Sequence, residues 1–290
     1  MDNLNIDEKI RKIRCILFDV DGTLAHAHPT FISQESADIL NALQEKGYLV
    51  GFSTGRALTS LSFLMLPVGL RTNTYSIGCA GAEIGPAGGL PGNAVYNRFF
   101  PTDTLLDMLT AVLDNGLQFS CDANGTLYTS EQLDYAGTYM TNYRLAQKLG
   151  GYFPKPTPLT RGTLPRVLDG TVMKPMIWFR TEEEFHLMDP WFKAHPDYHY
   201  QSSGFNLMEV QPNDVSKAVA LHRLAGMLDL AADNFCVFGD SENDMPILQA
   251  AGLSVAMANA YDAAKETSDL ITPIDNMNSG AARFAAELFL

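Results

Sequence analysis

The chain has 290 residues, enough for two domains at roughly 100–200 residues per domain. Hydrophobic residues make up 46% and charged residues 18% of it, which predicts a folded globular protein rather than a disordered one. The formal net charge of −13 argues against a nucleic-acid partner, because phosphate backbones require clustered lysine and arginine. An anionic ligand would instead need a local cation, and a metal ion is the simplest one.

The cysteines and the amino-terminal segment bear on the cellular compartment. The four cysteines form no C-x-x-C pair, and Cys15 and Cys236 lie in apolar runs, as expected of buried thiols in a reducing cytosol. Residues 1–14 are polar and mixed in charge, and the apolar stretch 58–70 is too short to span a bilayer. We therefore expect a cytoplasmic protein without a membrane partner, either a monomer or a small homo-oligomer.

The first 82 residues alternate strand and helix patterns. Residues 14–20 and 48–52 are short apolar runs typical of buried strands. Apolar residues recur at helical spacing over 34–46, and a second helix is predicted over 57–66. This strand–helix alternation predicts a parallel sheet with right-handed crossovers.

The pattern changes after Ala82, where residues 81–93 are rich in glycine and proline. Helices are predicted over 102–115, with Thr102 as N-cap, and over 131–149 and 181–194. Strands are predicted over 117–121, 126–129, 172–179 and 197–203, with a hairpin turn at Asn124-Gly125 and a proline-rich connector over 150–165. Hairpins mixed with helices predict an inserted α+β domain at residues 83–204.

The strand–helix alternation then returns. Strands are predicted over 206–210, 235–239 and 254–257, and helices over 216–228 and 244–251. The predicted fold class is therefore α/β: a doubly wound, Rossmann-like parallel-sheet core formed by 1–82 and 205–290, interrupted by the α+β insert.

The first candidate site is Asp19-Val20-Asp21-Gly22-Thr23, at the end of a predicted strand. Residues two apart on an extended segment point the same way, so both carboxylates face one site. Such a pair can hold a hard cation, or one acid can act as a nucleophile while the other exchanges protons. A calcium EF-hand is excluded because its glycine stands sixth in the loop, whereas Gly22 is fourth from Asp19.

Two weaker signals follow other strands. Ser53-Thr54-Gly55-Arg56 offers a hydroxyl and free backbone amides at a helix start, which can bind phosphate. Lys217 opens a predicted helix, against the helix dipole, and an anionic partner would explain that placement. Taken alone, the first could be an ordinary helix start and the second a solvated lysine.

The fourth signal is the acidic loop Gly239-Asp240-Ser241-Glu242-Asn243-Asp244. Its three acids repel one another unless a cation lies among them. Helix capping would account for one of these acids but hardly for all three.

Together these segments resemble the four motifs of the haloacid dehalogenase superfamily of phosphohydrolases. Asp19-x-Asp21-Gly22-Thr23, Thr54, Lys217 and Gly239-Asp240-x-x-Asn243-Asp244 match them in order and spacing. The insert lies between the second and third motifs, where the superfamily's larger C2-type α/β caps occur. Val255 to Ala260 and Ile271-Thr272 also resemble the Cof-type branch.

Two departures from that branch concern the surroundings of the motifs. Its usual Asn-Gly-Ala at the entrance to the cap is Ala80-Gly81-Ala82 here, and its Met-Gly-Asn-Ala is Met257-Ala258-Asn259-Ala260. Neither change touches the residues expected to carry the chemistry.

The resemblance implies a mechanism and a role for each motif residue. Asp19 attacks phosphorus to form an aspartyl-phosphate, and Asp21 protonates the leaving oxygen and then activates the water that hydrolyses the intermediate. The expected cofactor is Mg²⁺, held by Asp19, Asp240, Asp244 and the backbone carbonyl of Asp21. The expected phosphate- and substrate-binding residues are Thr54, Gly55, Arg56, Lys217 and Asn243.

Several alternatives remain open at the level of sequence. A phosphomutase of this superfamily would be expected to carry a helical cap inserted after the first motif. Only about 30 residues separate Asp21 from Ser53, which is too few for such a cap. A non-catalytic phospholigand-binding protein would be favoured by loss of an essential acid, and none is missing. Sugar phosphates are the first substrate class expected, before nucleotides, pyridoxal phosphate and flavin mononucleotide. His26 and His28 are expected to be loop residues rather than metal ligands.

Overall fold

The computed structural model describes residues 6–26, 30–123, 125–167, 170–202 and 206–290. Its strands are β1 (Cys15–Phe18), β2 (Leu49–Phe52), β3 (Ser76–Gly78), β4 (Glu83–Gly85), β5 (Tyr96–Asn97), β6 (Gln118–Ala123), β7 (Thr126–Ser130), β8 (Pro156–Leu159), β9 (Val172–Trp178), β10 (Tyr198–Ser202), β11 (Leu207–Pro212), β12 (Phe235–Gly239), β13 (Leu253–Ala256) and β14 (Leu270–Ile271). Its α-helices are α1 (Ile6–Lys12), α2 (Gln34–Glu45), α3 (Ser62–Met65), α4 (Thr102–Asp114), α5 (Ala136–Leu149), α6 (Leu164–Val167), α7 (Glu182–Phe185), α8 (Asp189–Ala194), α9 (Lys217–Met227), α10 (Met245–Ala250), α11 (Asp262–Thr267) and α12 (Gly280–Phe289).

The first sheet is parallel and has the order β14-β13-β12-β1-β2. Strands β1 and β12 are apolar and buried along their whole length, as expected of parallel strands covered on both faces. From β1 the chain first moves to β2 on one side and later to β12 on the other. In doubly wound sheets, ligands bind where the strand order reverses in this way, beyond the carboxyl ends of the strands. The predicted α/β fold is confirmed.

The second sheet is mixed and has the order β10-β11-β9-β6-β7-β8. One of its faces packs against α4 and α8 in an apolar cluster. That cluster includes Leu105, Met108, Leu109, Val112, Phe119, Cys121, Ile177, Trp191, Met208 and Val210. Because side chains alternate along a strand, the intervening residues point to the opposite face, and many of those residues are polar and buried.

Strand β11 belongs to this second sheet, since it pairs with β10 and β9. The expectation that a strand at 206–210 returns the chain to the parallel core was therefore wrong. Alternating apolar and polar residues in Leu207–Pro212 fit a sheet with one polar face better than a parallel strand buried on both faces. We propose that the insert ends after Pro212 rather than at 204, with its first border still near Ala82.

Several predicted helices are shorter than expected, and two of them are interrupted near prolines. The helix expected over 57–66 is reduced to α3 between the 3-10 turns Leu58–Leu61 and Leu66–Val68, and the one expected over 181–194 is divided into α7 and α8 by a 3-10 turn before Pro190. Proline has no N–H to continue the helical hydrogen bonds.

Three further local predictions were wrong. Pro101, not Thr102, is the N-cap of α4, and it makes no side-chain cap bond. Helix α5 begins only at Ala136, after turns at 131–135. The connector at 150–165 contains β8, which pairs in parallel with β7. The hairpin of β6 and β7 forms as expected, although Asn124 itself lies outside the described residues.

All four cysteines are buried and free, in agreement with the prediction for Cys15 and Cys236. Within the described ranges no helix combines the length and the apolar character that a membrane span requires.

Two phenylalanine rings pack against each other at the centre of the parallel sheet, on the strands that precede the two acidic motifs. Phe18 and Phe238 are fully buried and stack with ring centroids 4.8 Å apart. We expect Phe238→Ala to lower the free energy of unfolding by about 3–5 kcal/mol through the lost burial and the cavity left behind. The control, Leu66→Ala at a side chain 54% exposed, should change it by only about 0.5 kcal/mol or less. Equal losses in urea denaturation would contradict this account of the core.

Candidate active site

Three carboxylates from two loops meet at the carboxyl edge of the parallel sheet. Asp19 directly follows β1, and Asp240 and Asp244 follow the adjacent β12. Carboxylate oxygens of these three residues all lie within 4.8 Å of one another. The parallel pairing of β1 with β12 therefore brings together two acidic motifs that are more than 200 residues apart in sequence.

Lys217 supplies a buried cation to this cluster. Its Nζ donates to Asp19 Oδ1 at 2.8 Å and to Asp244 Oδ1 at 2.5 Å, and the side chain is 1% exposed. Lys217 is the first residue of α9, whose N-cap Ser216 accepts a hydrogen bond from the backbone N–H of Val219. The expected anionic partner of this lysine is thus a pair of protein carboxylates.

The electrostatics of the cluster favour an added cation. Burial raises the pKa of Asp19 well above its usual range; the Lys217 ammonium opposes the rise, and the Asp244 and Asp240 carboxylates add to it. Burial and the neighbouring Asp244 carboxylate also raise the pKa of Asp240 to about 7. Burial opposes the charged form of Lys217, but the Asp19 and Asp244 carboxylates outweigh it and raise its pKa. A divalent cation among these acids would favour their ionised forms.

Asp244 organises the acidic loop through its second oxygen. Its Oδ2 accepts hydrogen bonds from the backbone N–H groups of Asp240 and Ser241 and from Ser241 Oγ, each at 3.1 Å. The Asn243 side chain accepts a bond from Ser241 Oγ at 2.8 Å, so it belongs to the same loop. One buried carboxylate therefore fixes both the loop and Lys217.

Gly22 allows the two acidic loops to approach each other closely. Its φ is +84°, and a Cβ at this position would lie 2.4 Å from Asp240 Oδ2. Next to it, Thr23 Oγ1 donates to Asp240 Oδ1 at 2.7 Å, and Asn259 Nδ2 donates to the Gly22 carbonyl at 2.8 Å. Asn259 thus connects the sequence after β13 to the first motif.

Asp21 lies in a different environment from Asp19. Its carboxylate forms a bidentate ion pair with Arg56, with Nε–Oδ2 at 2.6 Å and Nη2–Oδ1 at 2.7 Å. The Asp21 side chain is 51% exposed, whereas that of Asp19 is 7% exposed. Partial removal of this carboxylate from water acts to raise the pKa of Asp21, but the Arg56 guanidinium outweighs that effect and the pKa is lowered. The side chain of Asp21 lies outside the carboxylate cluster of Asp19, Asp240 and Asp244.

The segment 53–56 lies directly beside these acids. The Ser53 backbone N–H donates to the Phe18 carbonyl at 2.9 Å, which places the segment at the end of β1. Thr54 is buried, and its Oγ1 accepts from the Arg56 backbone N–H at 3.1 Å, so its hydroxyl can still donate. Ser53 Oγ is buried with no partner in the described part of the chain.

The residues at the entrance to the insert have a strained backbone. Cys79, Ala80 and Gly81 have φ values of 47°, 52° and +110°. A Cβ at Gly81 would lie 2.3 Å from the Ser216 carbonyl oxygen, so the glycine lets this segment contact the start of α9. The segment that departs from the usual Cof-type pattern therefore packs against the helix that carries Lys217.

The two histidines near the first motif have different outcomes. His26 stacks on Phe31 with ring centroids 4.4 Å apart, and it is not part of the carboxylate cluster. His28 lies outside the described residues.

Sequence reasoning missed the charged residues of the second sheet that approach the site. Lys174 on β9 and Glu209 on β11 form a buried ion pair at 2.9 Å, and Lys174 Nζ also donates to the Gly55 carbonyl. The available signal was a charged residue in the middle of each apolar strand, Val172–Trp178 and Leu207–Pro212.

The carboxylate cluster fits a hard divalent cation. It offers three acidic side chains within reach of one ion, and oxygen ligands of this kind suit Mg²⁺, Ca²⁺ and Mn²⁺. Lys217 balances only one of the three negative charges. The approach of Asp240 to Gly22 also keeps the two acidic loops close enough to share an ion.

Comparison with known sequences agrees with this geometry. Residues 16–284 match the family described as haloacid dehalogenase-like hydrolase. The chain belongs to this family. The resemblance to haloacid dehalogenase phosphohydrolases and the prediction that the chain is an enzyme are therefore confirmed.

Individual relatives of this family match nearly the whole chain. The chain is 26% identical over 277 residues to a 5-amino-6-(5-phospho-D-ribitylamino)uracil phosphatase of Bacillus subtilis, covering 94% of this chain and 97% of the relative. A haloacid dehalogenase-like hydrolase from B. subtilis has a similar structure, with a TM-score of 0.80 at 22% identity over 96% of this chain and 100% of that one. A phosphatase from Bacteroides thetaiotaomicron has a TM-score of 0.74 at 22% identity, covering 95% of each chain.

The contact between Gly22 and Asp240 can be tested with two glycine-to-alanine variants. Gly22 and Gly47 both have positive φ, +84° and +102°, but a Cβ at Gly47 would meet nothing within 4 Å. We expect Gly47→Ala to cost about 1 kcal/mol of unfolding free energy through φ alone, and Gly22→Ala about 2–4 kcal/mol because Asp240 must also move. Urea denaturation in the presence of EDTA measures both without a metal contribution. Equal losses would show that the close approach is not a constraint.

Proposed function

We propose that this chain is a Mg²⁺-dependent phosphohydrolase that removes phosphate from a small phosphorylated metabolite through an aspartyl-phosphate on Asp19. The observation that carries the proposal is the buried Asp19 carboxylate, which is paired with Lys217 and within 4.8 Å of two further carboxylates. The family of hydrolases to which the chain belongs and the phosphatase named above support it.

Asp19 is suited to act as the nucleophile because it is buried and fixed. Its backbone N–H donates to the Phe238 carbonyl at 2.9 Å, and Lys217 orients one carboxylate oxygen. In the proposed reaction a carboxylate oxygen bonds to phosphorus while the bond from phosphorus to the leaving oxygen breaks. A fixed nucleophile lowers the barrier because phosphoryl transfer depends mainly on positioning and on compensation of spreading negative charge.

Mg²⁺ would be held by the carboxylates of Asp19, Asp240 and Asp244 and by the Asp21 carbonyl. When bound, it supplies positive charge for the phosphoryl oxygens in a chain whose own net charge is −13. Thr54, Gly55, Arg56 and Lys217 would bind the transferring group, and Asn243 would keep the acidic loop in place.

Asp21 is suited to exchange protons with the leaving group and then with water. In the present structure its carboxylate is held ionised by Arg56, whose guanidinium lowers its pKa. A phosphoryl group in the segment 53–56 would compete with Asp21 for the Arg56 guanidinium, because arginine binds phosphate oxygens in the same bidentate manner. Release of Arg56 would raise the pKa of Asp21 and favour the protonated form that a general acid needs.

The substrate proposal begins with sugar and polyol phosphates. The Bacillus relative is named for a ribityl phosphate, which is a polyol phosphate, and its match covers nearly all of both chains. Nucleotides, pyridoxal phosphate and flavin mononucleotide are the other classes to compare. A screen of phosphorylated metabolites would identify the preferred one.

We propose the second sheet and its helices as the cap that contacts the leaving group.

The metal requirement can be tested by chelation. We expect EDTA to abolish hydrolysis of nitrophenyl phosphate and Mg²⁺ to restore it, whereas Ca²⁺ should restore it poorly because it prefers more ligands at longer distances. Mg²⁺ should also raise the thermal unfolding midpoint of the wild type, since it binds the folded state. This rise should be smaller in Asp240→Asn. Full turnover after exhaustive chelation would refute the requirement.

The two acids of the first motif should differ when each is changed to its amide. Asp19→Asn should abolish turnover and prevent trapping of a phosphoenzyme, because an amide cannot form the acyl-phosphate. Asp21→Asn should keep the nucleophile but lose proton transfer, which lowers the rate by roughly 10²–10⁴-fold. The loss should be smaller for nitrophenyl phosphate, whose leaving group needs no proton, than for sugar phosphates.

Acid quench of Asp21→Asn with an activated labelled substrate should then reveal phosphorylated protein, since hydrolysis of the intermediate still lacks its base. The label should map to Asp19. Near-normal turnover by Asp19→Asn, or a label on another residue, would show that the nucleophile is wrongly assigned.

A further inference from the structure

Three charged residues lie together on the polar face of the second sheet. Asp122 on β6 is directly opposite Lys174 on β9. Glu209 on β11 is opposite Met176, which lies two residues after Lys174 on β9. All three therefore point away from the apolar cluster that packs on α4 and α8. Lys174 and Glu209 are 3% and 7% exposed, and their ion pair spans neighbouring strands.

This charged group lies against the proposed phosphate-binding segment. Lys174 Nζ donates to the Gly55 carbonyl, and a Cβ at Gly55 would be 3.5 Å from both Lys174 Nζ and Glu209 Oε1. Gly55 immediately precedes Arg56, the partner of Asp21. The group is thus adjacent to the acid that would protonate the leaving oxygen.

Glu209 has a buried acceptor without a donor in the described part of the chain. Its Oε2 is buried and has no hydrogen-bond partner among the residues that the structure describes. A buried carboxylate oxygen without a donor costs free energy, and a donor group on a ligand would recover it. Hydroxyl groups are the donors that the carbon chain of a sugar or polyol phosphate would bring.

The charges on this face disfavour a second acidic group. Asp122 and Glu209 carry two potential negative charges, and Lys174 already binds Glu209 and the Gly55 carbonyl. Burial raises the pKa of Asp122 to about 6; the Lys174 and Arg56 cations oppose that rise, and Glu209 adds to it. A carboxylate on the leaving group would meet this excess negative charge at low dielectric, where like charges cost most.

Building on the proposed phosphatase activity, we propose that Asp122, Glu209 and Lys174 form the contact surface for the leaving group and select uncharged, hydroxyl-bearing leaving groups over those with a second acidic group. Asp122 and Glu209 accept hydrogen bonds from hydroxyls. Lys174 is a positioning residue that holds Glu209 and the segment at Gly55 together.

Two substrates that differ in one group test the selection. Sorbitol 6-phosphate and 6-phosphogluconate have the same carbon chain and phosphate, but one ends in a hydroxymethyl group and the other in a carboxylate. We expect wild-type kcat/KM to be higher for sorbitol 6-phosphate by about tenfold or more. A wild-type preference for 6-phosphogluconate would overturn the proposal.

Charge-removing variants then test the residues. Asp122→Asn and Glu209→Gln should each reduce this preference, by lowering kcat/KM for sorbitol 6-phosphate and raising it for 6-phosphogluconate. The matched control is Asp103→Asn. Asp103 is an exposed acid on α4, a helix that packs on the opposite, apolar face of the second sheet, so this change should leave the preference unchanged. Asp122 forms no ion pair with the residues that the structure describes, so Asp122→Asn serves as the test if Glu209→Gln unfolds, which thermal melting would show.

The outcomes separate this inference from the proposed function. If the wild type hydrolyses neither nitrophenyl phosphate nor the two substrates with Mg²⁺, the phosphatase proposal itself fails. If it hydrolyses them and both folded variants keep the wild-type preference, the phosphatase proposal stands and the assignment of the leaving-group surface is wrong.

Discussion

The buried ammonium of Lys217 is the constraint on which the candidate site depends. A charge that is 1% exposed is stable only beside opposite charges, and here Asp19 and Asp244 provide them from the ends of two strands. The lysine itself comes from the start of α9, on a third segment of the chain. The register of β1 against β12 and the position of α9 must therefore both be correct before this ion pair can form. Removal of the lysine would leave the buried carboxylates without their cation, at a cost of several kcal/mol.

The close packing around this ion pair relies on glycines that face other segments. Gly22 admits Asp240, Gly239 admits Asp244, and Gly81 admits the backbone at Ser216. At each place a side chain would separate groups that must share one small volume. This packing also separates the two acids of the first motif: Asp19 is drawn into the cluster, while Asp21 faces Arg56 and remains half-exposed. Two acids two residues apart thus have environments suited to nucleophilic attack and to proton exchange.

The second sheet also keeps two environments apart, one apolar and one polar, on its two faces. Its apolar face packs on helices, and its polar face turns toward the segment that carries Gly55 and Arg56. Because strands alternate their side chains, one sheet can provide both a stable core and a polar surface over the site. The ion pair between Lys174 and Glu209 joins this surface to the parallel core through the Gly55 carbonyl. In the proposed function, the chemistry at Asp19 and the contact with the leaving group therefore belong to different sheets.

The sequence by itself determined the α/β class, the parallel sheet and the four motifs, because each depends on local patterns: apolar strands that end in Asp19 and Asp240, and polar groups at fixed spacing. It did not determine that β11 joins the second sheet, since strand pairing depends on partners far away in the chain. It gave no sign that Arg56 binds Asp21 or that Lys174 reaches Gly55, because such contacts arise only when separate segments are folded against one another. Local patterns placed Asp19 and Asp240 directly after their strands. Tertiary packing decided which charged groups surround them, because those groups come from distant segments of the chain.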